Sequence, residues 1–249
     1  MGAVARVITA SVVGSAHITA SLPCQDAVEW FADDEYVHVA VADGLGSAEF
    51  SAEGAAAAVK AAVNSMRENA SDSKDMAMVC FEAIAQARAA VNAECEQQGC
   101  EPRDMACTLI IAILHEGTLA TSHIGDGGAV ALTMTGTVMA SYPGDSEYVN
   151  EVDHLCMDSF VNHIRTAMTP DVVAFAVFTD GIQRAVLRKE QGFVHPYEGF
   201  FEPIFDWASN GGNKEELVRL LQGKKLNDVS DDDKTLAVVA TIRDQHARL

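Results

Sequence analysis

Four apolar runs in this chain meet an aspartate at one edge, and that pattern restricts what the chain can fold into. Val37, Val39 and Val41 belong to a run that ends at Asp43-Gly44. The run 118–124 ends at Gly125-Asp126-Gly127, Val172 to Thr179 ends at Asp180-Gly181, and Asp232-Asp233 opens the run Thr235 to Ile242. A short apolar run bounded by turn residues is the pattern of a strand buried in a sheet. Such a strand fixes the acid at its mouth, and the glycines let backbone groups approach closely. A single Asp-Gly closes a turn and decides nothing. Four acids at strand edges point to carboxylates converging at one end of packed sheets. Converging like charges raise each other's pKa and are unfavourable without a cation. Oxygen ligands with no His or Cys partner suit Mg²⁺ or Mn²⁺, not zinc or copper.

Helical segments arrive in pairs between groups of strands. Strands are expected at about 4–13, 27–32 and 36–42, then helices at about 49–68 and 74–97, the second stopped by Gly99 and Pro102. An apolar run over 105–114, a hairpin turn at Glu116-Gly117, and strands at 118–124 and 129–134 follow. Residues 141–170 read as polar and irregular, 172–179 as a strand, about 182–190 as a helix and 193–197 as an aromatic loop. Helices near 198–209 and 213–222 precede the last strand, 235–242, and residues 14–26 read as a loop. Paired helices disfavour a doubly wound parallel sheet and favour antiparallel sheets with helices outside. Trp30, Trp207 and the phenylalanines at 175, 178, 193, 200, 201 and 205 read as core or helix-packing groups.

At 249 residues and 49% hydrophobic, the chain is expected to form one domain, 1–249, with a sizeable core. Its 17 basic against 36 acidic residues give −19, which argues against a nucleic-acid partner needing a basic face. No run reaches the ~18 apolar residues of a membrane span. The first twenty residues read as a strand in preference to a signal peptide. Six cysteines at 24, 80, 95, 100, 107 and 156 form no C-x-x-C pair. Cys95 and Cys100 lack nearby His or Cys partners, so structural zinc is not expected, and free thiols suit a cytoplasmic location.

The motifs carry a resemblance over nearly the whole length. Ala42-Asp43-Gly44-Leu45-Gly46-Ser47, Cys107-Thr108-Leu109 with Ile124-Gly125-Asp126-Gly127, Phe178-Thr179-Asp180-Gly181-Ile182, and Asp232-Asp233-Lys234-Thr235 stand in the order and spacing of a known family. They resemble the metal-dependent protein serine/threonine phosphatases of the PPM, or type 2C, class. Gly14-Ser15-x-His17 with Pro23-Cys24-Gln25-Asp26, and Glu147 to Glu151, are similar to a bacterial branch of it.

The resemblance implies an α+β fold, a four-layer α/β/β/α sandwich of two antiparallel sheets flanked by helix pairs. It implies two or three Mg²⁺ or Mn²⁺ ions. Asp43 would bridge two of them, with the Gly44 carbonyl completing one site. Asp180 and Asp232 would hold the first ion, Asp126 would help hold a third, and Asp26 would order water behind the ligands. A metal-bridged hydroxide would then attack phosphoserine or phosphothreonine in a phosphoprotein, with a cognate kinase as counterpart in signalling. The chain departs from the family pattern at Gln25, which replaces a Glu, near Ser21, where a phosphate-clamping Arg is absent, and at Leu45, which replaces a His. His17 stands as a candidate phosphate contact or proton donor, or as a histidine bonded to backbone. His123 reads as a packing or surface residue, and 141–170 as the place of a flap or an ordinary connection. The alternative function is a fold relative without turnover that binds a protein partner. A third reading, an Asp nucleophile on a parallel sheet, needs an Asp-x-Asp that Asp43-Gly44-Leu45 does not supply.

Overall fold

The computed structural model describes residues 5–70, 75–144 and 152–241. In chain order the first half runs β1 (Ala5–Val12), α1 (Ser15–Ala20), β2 (Asp26–Ala32), β3 (Tyr36–Asp43), α2 (Ser51–Asn69), α3 (Met76–Gln98), β4 (Leu109–His115), β5 (Thr118–Ile124), β6 (Gly128–Thr133) and β7 (Gly136–Ser141). The second half runs β8 (Arg165–Thr169), β9 (Val172–Phe178), α4 (Asp180–Val186), β10 (Leu187–Glu190), β11 (Phe193–Pro196), α5 (Glu198–Ser209), α6 (Lys214–Leu221), α7 (Lys224–Asn227) and β12 (Lys234–Thr241).

Two five-stranded sheets, in the orders β1-β12-β9-β6-β7 and β2-β3-β4-β5-β8, form the centre. All their pairings are antiparallel. The period-2 alternation of strand side chains divides the apolar residues between two faces. Val39 and Val41 of β3 join Ile110 of β4 and Phe175, Val177 and Val239 of the other sheet in a core between the sheets. Their neighbours Ala40, Ala42, Ile111 and Ile113 face the other way, onto Ala58, Ala62 and Met66 of α2 and Ile84 of α3. A third core joins Phe178 and Val238 to Phe201 and Phe205 of α5 and Leu217 of α6. Burial on both faces is why the central strands read as continuous apolar runs. The result is the expected four-layer α/β/β/α sandwich.

Several local expectations are corrected. Residues 15–20 form α1 instead of a loop, and none of its residues is buried, so no apolar period marks it. The irregular stretch contains β8, whose middle residues are exposed and whose identity rests on its backbone ladder with β5. The expected helix at 182–190 ends at Val186 and gives way to the hairpin β10–β11, which includes the supposed aromatic loop. Gln191 and Gly192 turn that hairpin at φ 51° and 87°, the left-handed values two-residue hairpins favour. Trp30 and Phe193 are 42% and 70% exposed, so they do not belong to the core. The segment Glu147 to Glu151 lies outside the described residues.

Candidate metal centre

The antiparallel order brings the acidic strand edges to one end of the sandwich. Asp43 closes β3, and Asp26 opens its antiparallel neighbour β2, so the two sit opposite each other in the ladder. Strand β5 runs in the same direction as β3, with β4 between them, and therefore delivers Asp126 at the same end. In the other sheet Asp180 follows β9 and Asp232 precedes β12, which is antiparallel to β9. Asp43, Asp126, Asp180 and Asp232 thus line one pocket of about 200 Å³, together with His17, Gln25, Gly44 and Thr108.

Hydrogen bonds hold the strand ends that carry these acids. The Asp43 N–H donates to Thr108 Oγ1 at 3.0 Å, and Thr108 N–H returns a bond to the Asp43 carbonyl at 2.8 Å. Gly44 bridges Cys107 across the same join. Gln183 Nε2 donates to the Asp126 carbonyl at 3.1 Å. Asp180 begins α4 directly after Thr179, whose hydroxyl donates to Asp26 Oδ2 at 2.8 Å. A Cβ on Gly181 would fall 1.8 Å from the Asp233 carbonyl oxygen, so only glycine lets α4 start this close to β12.

The carboxylates crowd one another. Burial is the largest cause raising the pKa of Asp43, with the charges of Asp26, Asp180 and Asp232 adding to it. Asp180 is raised by burial and by Asp232, and it lies within hydrogen-bond reach of Asp43. Burial, then Asp180, pushes Asp126 up to about 6. Burial pushes Asp26 up to about 8, in part opposed by bonds from Thr179 and Thr235. Asp26 Oδ1 and Asp180 Oδ1 are buried with no hydrogen-bond partner among the described residues. Among those residues no three His, Cys, Asp or Glu side chains stand ready-made in coordinating geometry. The donor chemistry nevertheless fits a hard divalent cation: oxygen donors only, crowded, partly orphaned, and costly to ionise together.

These shifts predict an unusual pH response. A carboxyl whose folded pKa lies above its unfolded value stabilises the fold below the unfolded value, about 4. That contribution is lost as pH rises through the folded values, about 6 for Asp126 and about 8 for Asp26. In excess chelator the thermal midpoint is therefore expected to fall between pH 5 and pH 8. Mn²⁺ at 100 times its Kd should restore about 2.7 kcal/mol at pH 8. Differential scanning fluorimetry reads both, and equal midpoints at pH 5 and 8 in chelator would count against the crowded-acid account.

The sequence reading missed the centre's organiser, Asp233. This residue is 2% exposed. Its Oδ1 accepts from Gly14 N–H at 2.6 Å, and its Oδ2 accepts from Gln25 N–H at 2.5 Å and faces His17 Nδ1 at 2.9 Å. His17 is therefore bonded to a carboxylate and not to backbone, and it sits on the short helix α1 at the rim of the pocket. A Cβ on Gly14 would fall 2.2 Å from the Asp232 carbonyl carbon, which explains a glycine there. Lys234 was also missed: it is 1% exposed, and its Nζ donates to the Asp232 carbonyl at 2.8 Å. The signal available for both was the acidic run Asp231-Asp232-Asp233 before a lysine, which does not say which acid turns inward. His123 is fully buried, its Nδ1 3.0 Å from Ser141 Oγ, in a packing role.

Comparison with known proteins agrees with this architecture. A family model described as protein phosphatase 2C matches residues 13–222. Serine/threonine-protein phosphatase 3 of Escherichia coli (strain K12) is 32% identical over 249 residues, covering 94% of this chain and 97% of that protein. Among solved structures, the catalytic domain of the serine/threonine protein phosphatase PstP in complex with two manganese ions superposes with a TM-score of 0.62 at 16% identity, covering 96% of this chain and 99% of that one. RsbX in complex with magnesium superposes with a TM-score of 0.57 at 17% identity, covering 95% of each chain. At those identities the structural matches speak for the fold.

Proposed function

The chain belongs to the protein phosphatase 2C family, and on that premise we propose that it is a Mg²⁺- or Mn²⁺-dependent protein serine/threonine phosphatase. The observation that carries the reading is the gathering of Asp43, Asp126, Asp180 and Asp232 around one pocket, each supplied by a different strand edge. In this reading Asp43, the Gly44 carbonyl, Asp180 and Asp232 hold two ions, and Asp126 helps to hold a third. Bound divalent ions supply positive charge against the phosphoryl oxygens and make hydroxide accessible near neutral pH.

The chain's own residues do the rest. Asp26, opposite Asp43 and held at one oxygen by Thr179, offers its other oxygen to orient water. The Asp233 carboxylate accepts from His17 Nδ1–H and supports the doubly protonated ring, whose Nε2–H can then contact phosphate or give its proton to the leaving oxygen. Hydrolysis needs no covalent enzyme intermediate, so the six free cysteines are outside the chemistry. A polar groove of about 450 Å³ shares Asp180 and Asp232 with the pocket and extends past Arg184 and Ser230, giving the flanking residues of a phosphoprotein a surface to lie on.

The reading extends to one catalytic domain over 1–249, a cytoplasmic setting supported by six unpaired cysteines, and a signalling role opposite a serine/threonine kinase. No described helix is long and apolar enough to cross a membrane. The test is hydrolysis of p-nitrophenyl phosphate and of a phosphothreonine peptide with and without Mn²⁺. Turnover that requires the ion is expected. Full activity in excess chelator would overturn the reading, and Mn²⁺ binding without turnover would leave a partner-binding relative in its place.

A further inference from the structure

Two of the six thiols are already in contact, well away from the acidic pocket. Cys95 lies in the last turn of α3 and is 2% exposed, while Cys100 lies just beyond the helix and is half-buried. Gly99 ends the helix at φ 71°. Its N–H bonds the Glu96 carbonyl at 3.3 Å, and the Cys100 N–H bonds the Cys95 carbonyl at 3.1 Å. This paired cap sets the residue after the glycine against the residue four before it, where two apolar side chains usually touch. Here both are cysteines. The Cys100 thiol stands 2.8 Å from Cys95 Sγ, and the Cys95 thiol donates to the Cys100 carbonyl at 2.7 Å. Any apolar pair satisfies the cap. A pair of sulfurs within about 0.8 Å of the disulfide bond length has a chemical option that an apolar pair lacks.

We propose that Cys95 and Cys100 are a two-thiol oxidation site that closes to an intramolecular disulfide when the protein meets a peroxide, ahead of the other four cysteines. Cys100 is the more accessible sulfur and attacks first. Its thiolate sulfur bonds one peroxide oxygen, the O–O bond breaks, and the departing hydroxide leaves as water. Cys95 then attacks the resulting sulfenic sulfur. The S–S bond forms, the S–O bond breaks, and a second water carries off the Cys95 proton. Burial, then the bond from Cys100, pushes the Cys95 thiol up to about 12, which disfavours it in the first step, while its 2.8 Å contact with Cys100 Sγ places it for the second.

The other thiols are placed less well. Cys80 and Cys107 are fully buried. The Cys24 thiol is pushed up to about 12 by burial and by Asp26 and Asp233. Cys156 is the nearest competitor, since its charge is felt at Cys95, but its thiol is directed to the Met105 carbonyl at 3.7 Å. Closure joins α3 to the segment that runs through the turn Pro102–Met105 to Thr108, which holds Asp43. Because the sulfurs already touch, the tether forms with little movement of that segment.

Both cysteines fall in the tryptic peptide spanning 89–103, which makes the test direct. Full-length reduced protein is treated with hydrogen peroxide, denatured, alkylated with iodoacetamide, digested without reductant and mapped by mass. Peptide 89–103 is expected to lose two hydrogen atoms and to take no alkyl group until dithiothreitol is added, while the peptides of Cys24, Cys80, Cys107 and Cys156 are alkylated. Alkylation of both Cys95 and Cys100 at a peroxide dose that modifies another thiol would overturn the proposal, as would a cross-link to Cys156. In Cys95→Ala, which keeps the apolar cap contact, Cys100 should run on to sulfinic acid. In Cys100→Ala, Cys95 should resist the same dose. Either variant behaving oppositely refutes the assigned order.

Discussion

Asp43→Asn is expected to lower manganese-dependent hydrolysis by at least about 10³-fold, or about 4 kcal/mol of lost transition-state stabilisation. Asp43 is the acid that the ladder sets opposite Asp26 and that crowds against Asp180 from the other sheet. Acids from both sheets, Asp26 beside it and Asp180 and Asp232 across from it, bear on Asp43, so removing its charge takes away the point at which they converge. The same substitution should have the opposite sign on stability. In the ion-free protein Asp43 is a buried acid raised by burial and by three like charges. The neutral amide removes that repulsion, so Asp43→Asn in chelator at pH 8 should melt no lower than the parent and gain less on adding Mn²⁺. The two measurements together separate a lost ligand from a damaged fold. Activity within tenfold of the parent, measured at saturating Mn²⁺, would show that Asp43 is not a principal ligand.

Much of this centre was legible because its parts are strand ends. Apolar runs closed by Asp-Gly identify β3 and β9, and antiparallel order alone then carries Asp43, Asp126, Asp180 and Asp232 to one place. Elements held by backbone alone were not legible. Strand β8 and the β10–β11 hairpin expose most of their side chains, so neither leaves an apolar period to read. Helix α1 buries nothing and is fixed by its neighbours, with Ala16 N–H donating to the Asp231 carbonyl at 2.9 Å. The aromatic residues were read by composition when position decided: Phe175 and Phe205 face cores, while Trp30 lies on β2, at the edge of its sheet, and stays in solvent.

Adjacent acids are the sharpest case, and they set the second large effect. Asp232 lines the pocket, whereas Asp233 turns inward and accepts from Gly14, Gln25 and His17. Removing a buried carboxylate that satisfies several donors leaves those donors unpaired, at a cost of about 3–5 kcal/mol. Asp233→Ala is therefore expected to lower the melting temperature by on the order of 10 °C in chelator. Asp232→Ala, at a half-buried position, should leave that temperature nearly unchanged while abolishing metal-dependent turnover. Asp233→Asn should fall between the two. Its oxygen can keep Gly14 N–H, but its amide then meets Gln25 N–H donor to donor. Because His17 and Gln25 both border the pocket, turnover by whatever Asp233→Ala protein remains folded should also fall, with KM rising as the phosphate contact loosens. Equal melting temperatures for Asp232→Ala and Asp233→Ala would mean that the inward acid does not anchor the 14–25 segment, and the division of labour between the two neighbours would have to be abandoned.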